Sequence, residues 1–287
     1  MVISTANMTE ISSASQYALG STDAEHERLI RQAGRLAPLT EQLFREAGVG
    51  LGQRVLDIGS GVGDVAMIAA RLVGSSGEVV GIERDPLSIA RARARMAEAG
   101  LRNVSFTQSD VSQMPESKPF DAAVGRFILQ FLPDPVAVVR SLSGLVRPGG
   151  VIAFHEPQWA PFLALLEPLP LSFACASLVR ETLQRSGATT EMGLSLHRIY
   201  QEAGLPAPTM RMEMLLGDDP EFTRWIFDLF CTLRLQSQNL GLSLEKLGDL
   251  ETFPDRMQAE VAAANTVVPW VALVGAWSRK LAKLASH

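Results

Sequence analysis

The chain has 287 residues, 47% hydrophobic and 20% charged, with a formal net charge of −5. That balance fits a soluble globular enzyme, either one large α/β domain with an elaboration or two small domains, and excludes a disordered tail or a repeat array. It gives no basic surface for nucleic acid: Arg91, Arg93 and Arg95 alternate within a helical stretch and read as a solvated face.

Residues 1–16 are polar and rich in Ser and Thr, with neither the basic nor the apolar region of a secretory leader. The most apolar stretches, "PFLALLEPLPLSFACASLV" and "VVPWVALVGAW", are broken by Glu167 and prolines or fall short of the roughly 20 residues a spanning helix needs. No membrane insertion and a cytoplasmic location are therefore expected. Cys175 and Cys231 lie in apolar surroundings without CxxC spacing and read as core thiols in a reducing compartment. No His, Cys, Asp or Glu cluster has ligand spacing, so no metal is expected.

From Asp23 to Ala47, Leu29, Ile30, Ala33, Leu36, Leu39 and Leu43 recur at helical spacing, and Pro38 either starts a second helix or kinks a long one. The pattern then becomes regular. "RVLDIG" reads as a buried strand, "GDVAMIAARLVG" as a helix stopped by Gly74, and "EVVGIE" as a second strand. "RDPLSIARARARMAEAG" is a helix with Asp85 as N-cap, Pro86 at its first position and Gly100 past its end. "VSFTQSD" and "FDAAVGRF" are strands three and four. "DPVAVVRSLSGLV" repeats the Asp-Pro helix opening, and "RPGG" turns into a fifth strand, "VIAFHE". This alternation predicts right-handed βαβ crossovers and a doubly wound, Rossmann-like parallel sheet covered on both faces. Residues 157–190 read as helical and apolar. "LSLHRIYQEAGLPAPTMRMEMLLG" reads as helix, glycine stop and strand, residues 219–264 as two or three helices, and "TVVPWVALVGAWSRK" as a last strand.

In such a sheet, ligands bind outside the carboxyl ends of the strands, which is where Gly59, Gly61 and Gly63 fall. A Cβ at Gly59 or Gly61 would obstruct a ligand approaching the main chain, though the same glycines also suit a bare strand-to-helix turn. Glu83 ends strand two about 20 residues on, suited to accept from ribose hydroxyls. Ser109 and Asp110 end strand three, where Asp110 suits an adenine amino group or a simple Asx-turn. The dinucleotide fingerprint is G-x-G-x-x-G facing a pyrophosphate. Here the spacing is G-x-G-x-G and Asp64 follows, an anion that disfavours a diphosphate but tolerates a ligand with a cationic sulfur. The turn favours S-adenosylmethionine over NAD or FAD.

With "VLDIGSGVG", Glu83 after "VVGI", "SD" at 109–110, "FDAAVGRFILQFLPDP" and "LVRPGGVIAFHE", the chain resembles the class I S-adenosylmethionine-dependent methyltransferases. The likeness is to the small-molecule group that includes the ubiquinone/menaquinone-biosynthesis type. It implies a seven-stranded sheet with an antiparallel last strand, "TMRMEML" and "WVALVGAWSRK" forming the final pair. It also implies roles. Gly59, Ser60 and Gly61 would line the methionine and ribose portion and Glu83 would bind the ribose. Arg84, Ser109, Asp110 and the Val111 amide would meet the adenine, and Arg126 and Phe127 the methionine end. Asp57 matches the acidic residue that organises the loop, and Tyr17 in "YALG" a segment folding over the cofactor. The organisation expected is a helical cap over the cofactor (1–48), a cofactor-binding core (49–156) and a remainder (157–287) whose insertions, about 157–195 and 219–264, hold the acceptor.

Methyl transfer from a sulfonium requires alignment and exclusion of water, and an acidic acceptor benefits from a base. His155 and Glu156, at the exit of strand five, are the catalytic candidates. Adjacent strand residues point to opposite faces, so one at most aims into the pocket. His155 has the better ordinary pKa and is otherwise a hydrogen-bonded histidine under the lid. The expected partner is a small, hydrophobic or aromatic acceptor rather than nucleic acid, with a homodimer left open. A nucleotide-dependent oxidoreductase and a cofactor-binding homologue without turnover are the competing readings.

Overall fold

The computed structural model describes residues 23–110 and 118–281. Its main sheet has seven strands: β1 (Arg54–Ile58), β2 (Glu78–Glu83), β3 (Val104–Gln108), β4 (Phe120–Arg126), β5 (Val146–Gln158), β6 (Thr209–Glu213) and, later in the chain, β9 (Ala272–Arg279). The order is β3-β2-β1-β4-β5-β9-β6. The first five strands are mutually parallel, and β9 runs antiparallel between β5 and β6. This is the expected arrangement, with "TMRMEML" and "WVALVGAWSRK" as the final pair. Two short strands, β7 (Leu216–Gly217) and β8 (Val268–Pro269), form a separate ladder.

Strand alternation divides the core. Val55, Val79, Phe106, Val124 and Ala153 face one side, where they pack with α1 (Asp23–Ala47), α2 (Asp64–Val73) and α3 (Pro86–Glu98). Leu56, Ile58, Ile152, Phe154 and Ala276 face the other, against α4 (Pro135–Leu145) and α7 (Met192–Glu202). A third core lies beyond the strand ends. It joins α5 (Trp159–Leu166), α6 (Pro170–Arg185), α9 (Trp225–Asn239) and α10 (Phe253–Ala264), together with short α8 (Pro220–Thr223), around stacked Trp225 and Trp270.

The Asp-Pro helix starts form as read: the Asp85 carboxylate accepts from the Ser88 amide and that of Asp134 from Ala137. Pro38 stays inside a single α1. Three expectations change. The "RPGG" segment is part of β5, because the Gly149 amide and Gly150 carbonyl pair with Lys280 and extend the ladder. Cys175 is buried but Cys231 is exposed, since α9 turns that residue away from the helical core. The arginines of α3 are each engaged: Arg91 with Glu27, Arg93 with the Phe106 carbonyl, and Arg95 with Asp64 and the Val62 carbonyl. Among the described residues, no helix is long and apolar enough to cross a membrane.

The sheet and α7 meet without slack at Gly193. A Cβ there would sit 2.6 Å from Val274 Cγ2 and 3.3 Å from the Pro157 carbonyl oxygen. Alanine normally favours a helix by about 1 kcal/mol over glycine, less in a first turn. Overpacking against a stiff β-branched neighbour costs about 1–3 kcal/mol. Gly193→Ala is therefore expected to lower the urea midpoint; an unchanged or higher midpoint would contradict the close packing.

Candidate active site

After β1 the chain turns through Gly59 (φ +62°), Ser60, Gly61 (φ +50°), Val62 and Gly63 (φ +87°) into α2. All three glycines take a left-handed φ that suits glycine, but their surroundings differ. A Cβ on Gly59 would meet Ile128 Cδ1 at 2.5 Å, and one on Gly63 the Met96 Cε at 3.0 Å. Those two serve internal packing. At Gly61 no atom of the described residues lies within 4 Å. Of Gly59 and Gly61, both expected to admit a ligand, only Gly61 borders open space among the described residues.

One carboxylate ties this turn to its neighbours. Glu83 Oε2 accepts from the Gly61 amide at 2.9 Å, and Oε1 from the Arg84 and Asp85 amides at 2.8 and 2.9 Å. The Ser60 amide donates to the Ile82 carbonyl and the Ser109 amide to that of Glu83, both at 3.0 Å. The ends of β1, β2 and β3 thus share one bonded rim. Ser109 lies on it partly buried, and Arg84 and Asp110 are exposed there. Tyr17 and Val111 lie outside the described residues.

Beneath the turn, Asp57 is buried, and its carboxyl oxygens make no hydrogen bond among the described residues; the Ala66 amide approaches too loosely. Burial pushes its pKa well above the ordinary carboxyl range, partly opposed by the nearby Arg126 guanidinium. The Ser60 hydroxyl is likewise buried and unpartnered. An open glycine position, orphaned oxygens and a guanidinium together suit a ligand carrying both an amine and a carboxylate. These residues fit the amino-acid end of S-adenosylmethionine. Asp64 argues less against a diphosphate than its sequence position implied, because Arg95 pairs with it at 2.7 Å.

The ends of β4 and β5 are organised separately on each face. Arg126, His155, Gly275 and Arg211 fall in one row across β4, β5, β9 and β6, facing α1. A Cβ on Gly275 would meet Leu43 Cδ1 at 2.7 Å, so α1 lies directly on this row. The Thr40 hydroxyl oxygen accepts from Arg126 Nη1 at 3.0 Å and lies 3.1 Å from His155 Nδ1. His155 is fully buried, and burial first, then Arg126 and Arg211, lower its pKa to about 3.

Glu156 points to the opposite face, as strand alternation requires. Its Oε1 accepts from the Ile128 and Leu129 amides, both at 3.0 Å, and Oε2 from the Gln130 amide at 3.4 Å. Burial raises its pKa to about 7 against the pull of those three amides. Just before this grip, Phe127 holds φ +56°, uncommon for a bulky residue. The carboxylate offsets that strain by fixing the next three residues.

Beyond Phe127 lies a cavity that no motif in the sequence marks. Arg28 and Gln32 of α1, Phe127 and Gln130 after β4, and Trp159 and Trp270 from the helical core are among its lining. Arg28 is buried and forks onto Glu25 at 2.6 and 2.7 Å, while its Nη1 donates to Gln32 Oε1 at 3.0 Å. The signal was present: the α1 stripe Leu43, Thr40, Leu36 continues at helical spacing through Gln32, Arg28 and Glu25. Polar residues on a buried stripe mark partners elsewhere in the fold.

A model of the methyltransferase domain family matches residues 51–204. Aklanonic acid methyltransferase DauC of Streptomyces sp. (strain C5) is 39% identical over 145 residues, 45% of this chain and 66% of that protein. Ubiquinone/menaquinone biosynthesis C-methyltransferase UbiE of Coxiella burnetii is 33% identical over 121 residues, 40% of this chain and 48% of that protein. The matches thus span from about half to just under two thirds of these curated relatives. The crystal structure of YcgJ from Bacillus subtilis shares the fold at a TM-score of 0.55 and 16% identity, covering 85% of this chain and 98% of that one. With the family model matching more than half of its length, the chain belongs to the methyltransferase domain family, on the class I S-adenosylmethionine-dependent methyltransferase fold.

Proposed function

We propose that the protein transfers a methyl group from S-adenosylmethionine to a small hydrophobic or aromatic molecule. The observation that carries this reading is the open position at Gly61, held against Glu83 and set above the orphaned Asp57 carboxyl. The names of DauC and UbiE, one for aklanonic acid and the other for ubiquinone and menaquinone biosynthesis, support a small-molecule acceptor.

When bound, S-adenosylmethionine supplies a methyl group on a positively charged sulfur. Asp57, Ser60, Gly61, Arg126 and Phe127 would hold its amino-acid end, with Gly59 keeping the turn close to Ile128. Glu83 Oε1 is filled by the Arg84 and Asp85 amides, but Oε2, which accepts only from Gly61, keeps a lone pair for a ribose hydroxyl. Arg84, Ser109, Asp110 and Val111 would meet the adenine, and Tyr17 would close over the cofactor. In this reading residues 1–48 cap the core of 49–156, and 157–287 complete the sheet and hold the acceptor. The free thiols of Cys175 and Cys231 support a cytoplasmic setting.

His155 and Glu156 serve this site by position. His155 is sealed beneath Thr40 and stays neutral, so it helps hold Arg126 in place rather than collecting a proton. Glu156 fixes the loop that presents Phe127 and Gln130. Rate acceleration then rests on alignment in a dry site.

Two tests follow. Calorimetry is expected to register S-adenosylhomocysteine binding and none for NADH. Gly61→Ala strains a left-handed position by about 1–2 kcal/mol yet meets no atom of the described residues, so the variant should fold. Its added methyl occupies the ligand's space, and affinity for S-adenosylhomocysteine should fall about tenfold or more. NADH binding alone, or a variant that loses stability but no affinity, would overturn the reading.

The second test concerns pH. Glu156, raised to about 7, favours the folded state below the ordinary carboxyl pKa and loses that contribution as pH rises through 7. His155, lowered to about 3, contributes fully above its ordinary 6.5 and loses it as pH falls toward 3. From about pH 4.5 to 6.5 the two offset each other. In urea unfolding series, His155→Gln should become less stable as pH rises through this window, relative to the parent, and Glu156→Gln more stable. Parallel pH profiles for both variants would show that neither group titrates as stated.

A further inference from the structure

The cavity beyond Phe127 holds more hydrogen-bonding capacity than the protein uses. Gln130 is 5% exposed, and its main chain is fully engaged: the amide donates to Glu156 and the carbonyl accepts from the Thr189 amide. Its side-chain amide makes no hydrogen bond among the described residues. Gln32 is 9% exposed; Oε1 accepts from Arg28, and Nε2 has no acceptor there. The indole N–H of Trp270 is buried and has no partner among the described residues. All three residues line this one cavity. Buried polar groups are nearly always satisfied, so a buried indole N–H beside two glutamine amides with spare capacity points to an absent partner.

Charge narrows the partner. Arg28 brings a cation to the cavity, but Glu25 takes it in a bidentate pair, and Thr232 Oγ1 donates to the same carboxylate at 2.9 Å. Among the described residues, the charge of Arg28 is therefore already matched. An anion would gain little from Arg28 and would be repelled by Glu25, losing its hydration besides. Phe127, Phe131 and Trp159 supply flat apolar walls. Phe127 follows Arg126 directly, so the cavity opens one residue from the group assigned to the cofactor's amino-acid end.

We propose that this cavity is the acceptor site, and that it takes an uncharged, flat ring compound bearing a hydroxyl or carbonyl oxygen, read by Gln130, Gln32 and Trp270. The proposal rests on the methyltransferase reading above. Gln130 and Gln32 offer amide N–H donors, and Trp270 offers another; the Gln130 carbonyl oxygen can accept from a ring hydroxyl. The α1 helix is then the specificity element, since Arg28 and Gln32 both stand on it.

The test titrates the full chain with methyl 4-hydroxybenzoate, neutral at pH 7, and with 4-hydroxybenzoate, its anionic counterpart, in saturating S-adenosylhomocysteine. The ester is expected to bind about tenfold or more tightly than the anion. Gln130→Leu and Trp270→Phe, near in size to the parent residues, should each weaken the ester about five- to tenfold and leave S-adenosylhomocysteine affinity unchanged. Glu25→Gln, which frees the charge of Arg28, should shift the preference toward the anion. Equal or tighter anion binding by the parent overturns the proposal, as does an ester affinity indifferent to both Gln130→Leu and Trp270→Phe. The latter outcome marks a water-filled packing space. Calorimetric S-adenosylhomocysteine binding on the same samples separates the two claims. Cofactor heat without ester binding removes the acceptor site and leaves the methyltransferase reading standing, whereas ester binding without cofactor heat removes that reading.

Discussion

The grip of one carboxylate on three consecutive amides sets the geometry around which the site is arranged. Glu156 closes β5 and holds Ile128, Leu129 and Gln130, which forces the preceding Phe127 into a left-handed turn. The convergence of three amides on one group makes the loop cooperative. Because the turn is rigid, Arg126 before it and Gln130 after it diverge to different tasks. One meets the α1 side of the sheet, the other lines the cavity.

The same economy governs charge. Arg126, His155 and Arg211 share a row beneath α1, where three cations would repel one another. Burial resolves the conflict by keeping the middle residue neutral, and Thr40 bridges it to Arg126. Asp64 is matched by Arg95 and Arg28 by Glu25. Among the described residues, the Asp57 carboxyl and Ser60 hydroxyl are left without hydrogen bonds beside the open glycine. Unsatisfied buried groups beside an open glycine at the strand ends point to where a ligand's polar groups belong.

Features encoded by local chemistry were legible in the sequence. The Asp-Pro helix starts, the apolar strands and the glycine stops each follow from a few neighbouring residues, and they fold as read. Features set by distant partners were not. Nothing near Gly59 announces that Ile128 presses on it, nor does anything near "RPGG" announce pairing with Lys280. The arginines of α3 looked solvated because their partners, Glu27, Phe106 and Asp64, come from other elements. His155 and Glu156 stood out by residue type and strand position. Only their surroundings show that one is sealed and the other occupied. The α1 stripe is the instructive case: its apolar half was read, and its polar half, Glu25, Arg28 and Gln32, carries the cavity's chemistry.

The placement of β9 has a consequence for biosynthesis. It slots between β5 and β6 although both precede it in the chain. While the ribosome is still translating the intervening helices, β5 therefore presents a bare hydrogen-bonding edge and β6 has nothing to join. Such an edge invites association with neighbouring nascent chains. Sealing it depends on a contact between segments far apart in sequence, which makes closure of the sheet a slow, late event during folding.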